Sequence, residues 1–171
     1  SESYKLLSFL KETQSYGISS YTEPGQRLVY GIEFDKNTNS IRRVSADANS
    51  LTTSNFGQSS KFTNSSFIQN MSTVQGTENA FSLNVNFKIV GFCTVTDCDP
   101  KVSNYDKAYL AYKRPNPEAR IFLKTGEVID PSISDRADKG SKTKLVVFMA
   151  SKVNENFKKK VVILETGQMY V

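Results

Sequence analysis

The first stretch of the chain, residues 1–18, most constrains the fold, because it has the pattern of a helix and the later segments have the patterns of strands and turns. Its larger side chains recur at spacings of three and four, which places them on one stripe of an amphipathic helix. These residues are Leu6, Leu7, Leu10, Gln14 and Ile18. Gly17 can adopt the left-handed conformation that closes a helix, so the helix is predicted to end there.

The start of this helix is less clearly marked than its end. Ser1 and Ser3 are followed three residues later by Tyr4 and Leu6, and not by the Glu or Gln of a capping box. The first residue is also Ser and not Met. We therefore expect this helix to have been cut, so that its true start lies upstream of residue 1. The alternative, a terminal helix that begins at this point, remains open.

The absence of histidine excludes more functions than any other feature of the composition. Imidazole is the commonest general base and transition-metal ligand, so a Ser-His-Asp triad, a Cys-His pair and a His-rich zinc site are all excluded. No G-x-G-x-x-G and no P-loop motif is present. We predict no catalytic residue, no cofactor and no metal, and hence no enzyme. Calcium binding by the aspartates near Asp99 is left open, and a solvated acidic turn is the simpler interpretation.

The two cysteines, Cys93 and Cys98, stand close together in the segment FCTVTDCD. Two thiolates without histidine cannot make an ordinary four-ligand zinc site. We therefore predict a disulfide that closes a short loop, which indicates an extracytoplasmic location.

The net charge of +5 comes mainly from lysines late in the chain, including residues 158–160. Such an excess attracts polyanions or anionic surfaces. The lysines also directly precede an apolar strand, where lysines commonly guard strand ends against edge pairing. Both interpretations remain open.

Alternation of apolar and polar residues predicts strands in most of the remaining chain. Residues 28–44 form a predicted hairpin around the polar cluster at 35–39, and residues 83–89 show the strongest alternation. Further strands are predicted at residues 108–113, 120–123, 128–129 and 145–149, with a closing hairpin at 161–171 around Gly167. We predict one domain, residues 1–171, with an α+β fold in which the N-terminal amphipathic helix packs on an antiparallel β-sheet.

The segment 49–80 differs from the rest, because Ser, Thr, Asn and Gln fill 20 of its 32 positions. A few aromatic residues punctuate it, Phe56, Phe62 and Phe67 among them. We therefore predict a polar surface excursion pinned by aromatic side chains, with a short strand at residues 67–71.

Several of these segments, in this order, resemble type IV pilins and pseudopilins. The segments are the helix with its Tyr-Gly-Ile ending, YGIEFD at residues 30–35, KRPNP at 113–117 and VVILETGQMYV at 161–171. The chain is most similar to the H-type minor pseudopilins of type II secretion and to the minor prepilins of type IV pilus systems. The resemblance covers about the first 45 and the last 90 residues, and the polar middle matches no part of the family.

The resemblance implies a structural subunit of a pilus or secretion pseudopilus. In that family a peptidase removes a short basic leader, and an apolar helix of roughly 20 residues, absent from this sequence, anchors the subunit in the inner membrane before assembly. The partners would be other pilin subunits, in a homopolymer or heteropolymer, and the filament would be extracellular or periplasmic. The resemblance also implies that residues 1–18 are the C-terminal half of the family's long assembly helix, with Tyr4, Leu6, Leu7, Leu10 and Gln14 as its assembly residues.

A second class of function is a binding module for single-stranded DNA or a surface glycan. Basic and aromatic residues on exposed strand faces would make the contacts, as in DNA-uptake pilins. The candidate residues are Arg42, Arg43, Arg114, Arg120 and Tyr112.

Overall fold

The computed structural model describes residues 1–19, 28–47, 71–95, 98–112, 119–129, 144–156 and 158–171. In these residues a helix, α1, spans Glu2–Ser19 and precedes a series of β-strands. The strands are β1 (Leu28–Asp35), β2 (Ser40–Asp47), β3 (Ser72–Thr73), β4 (Ala80–Phe81), β5 (Phe87–Cys93), β6 (Lys107–Tyr112), β7 (Ala119–Thr125), β8 (Val128–Ile129), β9 (Lys144–Ser151), β10 (Lys158–Leu164) and β11 (Met169–Tyr170).

The strands form two antiparallel sheets. The first has the order β3-β2-β1-β6-β7-β8, with β4 also paired to β2, and the second has the order β11-β10-β9-β5. The fold is therefore α+β with the N-terminal helix packed on antiparallel sheets, as predicted, but the expectation of one sheet is wrong. The chain divides its strands because β5 pairs with the distant β9, whereas β6 pairs with β1 and β7.

The main hydrophobic core lies where α1 and the inward faces of the two sheets meet. Leu6 and Leu10 supply the contribution of the helix, and both are fully buried. The sheets contribute alternate residues of their strands, such as Ile32 and Phe34 from β1 and Val147 from β9. Because successive strand residues point to opposite faces, the intervening residues form separate apolar clusters on the outer face of each sheet.

The hairpin of β1 and β2 is confirmed, and its turn also joins the two sheets. The Asp35 carboxylate accepts the backbone N–H groups of Asn37 and Thr38. Asn39 takes a positive φ of 54°, a conformation that asparagine tolerates better than most residues. Its side chain accepts the N–H of Ile89 at 2.8 Å and donates to the carbonyl of Phe87 at 3.2 Å. The side-chain amide of Asn39 thus forms hydrogen bonds with the backbone of β5, as the backbone of a neighbouring strand would.

Most of the later strands also agree with the sequence pattern. β6, β7, β8 and β9 lie at the predicted positions, and β10 and β11 form the closing hairpin around Gly167, whose φ is 92°. No helix in the described part of the chain is both long enough and apolar enough to cross a membrane.

The strand predicted at residues 83–89 is wrong over most of its length. β5 begins only at Phe87, and Val85 is 80% exposed. The side-chain oxygen of Asn84 accepts the N–H of Asn86, and the backbone carbonyl of Asn84 accepts the N–H of Phe87. Asparagine favours such local turns, and here they override the alternation of apolar residues.

The left-handed cap predicted at Gly17 is wrong, although the predicted helix, residues 1–18, differs from α1 by only one residue at each end. α1 continues to Ser19, and Gly17 is not among the residues with positive φ. A Cβ at this position would lie 2.5 Å from the Cβ of Tyr112 on β6. Glycine is therefore placed here by close packing of the helix on the sheet, and not by a left-handed cap.

The polar segment 49–80 is described only from residue 71. There, β3 and β4 pair with β2 on either side of a short 3-10 turn, Thr77–Asn79. Most side chains from residue 72 to residue 80 are exposed, which agrees with a surface excursion. The strand predicted at residues 67–71 otherwise lies outside the described residues.

Candidate functional site

The buried face of α1 differs from the predicted stripe. Its members are spaced by three and four residues along the helix and are Ser3, Leu6, Leu10, Thr13 and Gly17. Small residues therefore stand at both ends of the stripe, and at Gly17 the helix approaches Tyr112 of β6 closely. The sequence contains this spacing, but Ser3, Thr13 and Gly17 are small or polar, so a pattern of large apolar side chains does not reveal it.

The predicted assembly residues are divided between the two faces of the helix. Leu6 and Leu10 are fully buried in the core, so they are unavailable to another molecule. Leu7 and Gln14 are half-buried, and Gln14 donates to the carbonyl of Gly167 at 3.1 Å. Tyr4 is 66% exposed. Of the predicted set, Tyr4 is thus the side chain most available for a contact.

The exposed face of α1 is amphipathic in its own right. Two tyrosines, Tyr4 and Tyr16, stand near its two ends, with Lys5, Ser8, Lys11, Glu12 and Ser15 also exposed. At the first turn, the Glu2 carboxylate accepts the N–H of Asn84 at 3.2 Å and lies 3.5 Å from the Lys5 ammonium. A carboxylate in the first turn interacts favourably with the helix dipole. The N-terminal turn is therefore fixed to the body of the protein.

A buried arginine, Arg43 on β2, lies between α1 and the 3-10 turn. Its side chain is 1% exposed. Its guanidinium donates to the Thr13 hydroxyl at 2.8 Å, to the Glu78 carbonyl and Asn79 amide oxygen at 3.2 Å each, and to the Glu12 carboxylate at 2.5 Å. A charge this far from water needs such partners, and they come from two separate segments, α1 and the 3-10 turn.

Two aromatic rings complete the environment of this guanidinium. Its central carbon lies 4.3 Å from the ring centroid of Phe9 and 4.8 Å from that of Tyr16, within the range of cation–π attraction. The hydrogen bond from Arg43 holds the pKa of Glu12 below its usual value, and a hydrogen bond from Tyr16 adds to the effect. Arg43 thus fixes the middle of α1 against β2.

The predicted nucleic-acid contacts are corrected by this placement. Arg43 faces the helix and is buried, Tyr112 also faces the core with 0% exposure, and Arg120 on the opposite face of the sheet is 8% exposed. Arg42 keeps 38% of its side chain exposed beside Glu33. Arg114 lies outside the described residues. The described members therefore do not form one solvent-facing basic surface, and the expectation that they do is wrong.

Two buried tyrosines on β6, Tyr109 and Tyr112, have shifted pKa values. Burial raises the pKa of the Tyr112 hydroxyl, which has no hydrogen-bond partner among the described residues. Burial also raises the pKa of Tyr109, with the Glu33 charge adding to it. Both hydroxyls stay protonated, so neither serves as a base at neutral pH.

The outer face of the first sheet carries a small network of charges. Lys107 lies 3.8 Å from Glu33 and 3.5 Å from Asp35. Burial raises the pKa of Asp35, but the hydrogen bonds from Thr38 and the charge of Lys107 outweigh it, so the pKa is lowered overall. The Asp35 carboxylate is thus occupied by partners and remains ionised at neutral pH.

The predicted disulfide between Cys93 and Cys98 is present. Cys93 packs with Val146, Phe148 and Val162 on the outer face of the second sheet. The nearby aspartates serve turns: Asp99 accepts the N–H of Lys101 and Asp106 accepts that of Gly126. Within the described residues, no group of His, Cys, Asp and Glu is arranged to hold a metal ion.

Comparison of the chain with protein-family models, with curated proteins and with solved structures found no match.

Proposed function

We propose that this chain is the globular part of a structural, non-enzymatic subunit of an extracellular or periplasmic filament of the type IV pilin and pseudopilin kind. The observation that carries the proposal is the N-terminal helix, which lies along antiparallel sheets and keeps a continuous exposed face with Tyr4 and Tyr16. In such a subunit this face meets neighbouring subunits. The sheets hold the helix rigid for that contact through the buried leucines and Arg43.

In a subunit of this kind an apolar helical segment precedes the globular part. That segment holds the subunit in the inner membrane before assembly and then enters the filament core. Other pilin subunits, identical or different, are the partners. The disulfide supports the location, because disulfides persist in oxidising compartments.

The test is assembly of the complete gene product in its native cell. Sheared surface fractions and periplasmic extracts are examined by electron microscopy with a gold-labelled antibody against residues 1–171. Labelled filaments support the proposal. A product that is found only as a cytoplasmic monomer, with no leader and no apolar segment encoded upstream, refutes it.

A photo-crosslinking amino acid at single positions tests the contact face. At Tyr4 it is expected to link the chain to another filament subunit, because this side chain is 66% exposed on the helix. Val153, which is 88% exposed in the turn between β9 and β10, is the matched control. Crosslinks from the control position alone would place the subunit contact away from the helix and contradict this use of α1.

A further inference from the structure

The outer face of the second sheet has a pit with cationic walls. Ala150 on the central strand β9 is in register with Lys88 on β5 and Lys158 on β10. The short Ala150 side chain leaves a depression between the two long lysine side chains, and Lys101 and Glu155 also line it. The volume of the depression is about 220 Å³. We call these five residues the lysine pit.

The lysine pit carries an excess of positive charge. One Glu155 oxygen lies 2.9 Å from the Lys88 ammonium, and the other lies 3.4 Å from the Lys101 ammonium. Lys158 has no ion-pair partner among the described residues. Three lysines and one carboxylate thus line the same depression, and like charges around one depression repel one another unless further negative charge is supplied.

Glu155 bridges its two lysines in the way that an oxyanion would. Its side chain is 53% exposed and it belongs to a turn, so it can rotate into solvent at little cost. A phosphate group offers three acceptor oxygens and a charge of about −1.5 to −2 at neutral pH, which matches three lysines better than one carboxylate does. Lysine is also a common phosphate ligand in proteins.

We propose that the lysine pit binds a phosphate group, held by Lys88, Lys101 and Lys158 after Glu155 has been displaced. The site is independent of the exposed face of α1 and of filament assembly. Glu155 competes with the ligand for the same lysines, so it sets the affinity and limits binding of weakly charged anions. The ligand is a free polyphosphate or the phosphodiester of a polymer.

The first experiment is a titration of the full chain with inorganic tripolyphosphate, followed by calorimetry and by backbone amide chemical shifts. Shifts are expected at Lys88, Ala150 and Lys158. Substitution of Glu155 with glutamine is expected to tighten binding roughly fivefold, since an exposed ion pair of this kind has about that effect. Glu127→Gln is the matched control, because it makes the same change in net charge at a side chain that is 97% exposed elsewhere.

The lysines are tested by removing charge from the pit. Lys88→Gln and Lys158→Gln are each expected to weaken binding roughly fivefold, and both effects should diminish at high salt. Lys11→Gln on the exposed face of α1 serves as the control for net charge. Equal effects of Glu155→Gln and Glu127→Gln, or of the pit and control lysines, would show a diffuse charge effect and overturn the proposal. So would chemical-shift changes that avoid the pit.

A second arm of the titration distinguishes the sources of phosphate. A single-stranded oligonucleotide replaces tripolyphosphate, with the same variants. Binding of both probes with the same dependence on Glu155 indicates a phosphodiester polymer. Binding of tripolyphosphate alone indicates a free polyphosphate. Failure of both probes to bind at low salt refutes the proposal without bearing on filament assembly.

Discussion

Replacement of Arg43 with methionine is expected to lower the free energy of unfolding by about 3 kcal/mol, because it removes the charge that joins α1, β2 and the 3-10 turn. Three of the lost hydrogen bonds, to Thr13, the Glu78 carbonyl and Asn79, involve a donor that is almost wholly buried. Loss of a buried hydrogen bond to a charged group costs about 1.5–3 kcal/mol, but methionine also avoids the desolvation cost of the guanidinium. The net effect is therefore smaller than the sum of the bonds.

The contribution of Glu12 should be minor despite its charge. Its side chain is 54% exposed, so water screens the pair, and such pairs contribute less than about 1 kcal/mol. Thr13 is fully buried, and its hydroxyl also donates to the Phe9 carbonyl at 3.0 Å. We expect a coupling energy of about 1–2 kcal/mol between Arg43 and Thr13, above that between Arg43 and Glu12.

The assay is urea unfolding of Arg43→Met, Thr13→Val, Glu12→Gln and the two double variants, analysed as double-mutant cycles. Arg42→Met is the matched control. It makes the same substitution at the adjacent position of the same strand, where the guanidinium is partly exposed beside Glu33. This control should change stability by less than about 1 kcal/mol. An Arg43→Met variant as stable as the control, or a larger coupling to Glu12 than to Thr13, would refute the reasoning.

Three further predictions concern other parts of the fold. Gly17→Ala should destabilise the protein by about 1 kcal/mol, although alanine favours helices, because the new methyl group meets Tyr112. Overpacking costs about 1–3 kcal/mol, which exceeds the gain in helix propensity. A variant that is stabilised in urea unfolding would contradict the close contact. Asn39→Gly should lower the free energy of unfolding by about 1–2 kcal/mol, because the hydrogen bonds to β5 are lost. Asn39→Ala should cost about 1 kcal/mol more, because alanine disfavours the positive φ at this position. Equal thermal stability of the two variants would argue against strain at this turn. The pKa of Glu12 is lowered in the folded state, so its pairing contributes stability that is complete above the unfolded-state pKa near 4.5 and is lost as the pH falls through the lower folded-state pKa. Glu12→Gln should therefore lose less stability than the wild type between about pH 5 and about pH 3. Identical urea midpoints of the two proteins across that range would count against the pair.

The elements that depend on local pattern were predictable from the sequence. The hairpin of β1 and β2 follows from two alternating runs around a polar turn, and the closing hairpin follows from another pair of runs around Gly167. The disulfide follows from two close cysteines in a chain without histidine. In each case the partners are near in sequence, so short-range rules are sufficient.

The division into two sheets was decided only by tertiary structure, because it depends on which distant strands pair. The same holds for the lysine pit, where Lys88 and Lys158 lie in register with Ala150 although 62 residues separate Lys88 from Ala150. Asparagine turns at residues 84–86 likewise override a local alternation that predicts a strand. Sequence spacing carries no information on the register of strands this far apart.

The sequence by itself determined that an N-terminal helix precedes antiparallel strands, and it located most of the later strands. It did not determine what α1 touches. Arg43 and Arg42 are identical and adjacent, yet one is buried under the helix and the other is partly exposed on the opposite face. Gly17 likewise has the sequence pattern of a helix end, but its role is close packing on Tyr112. Burial and contact depend on what the neighbouring elements place around a residue, so only the folded chain decides them.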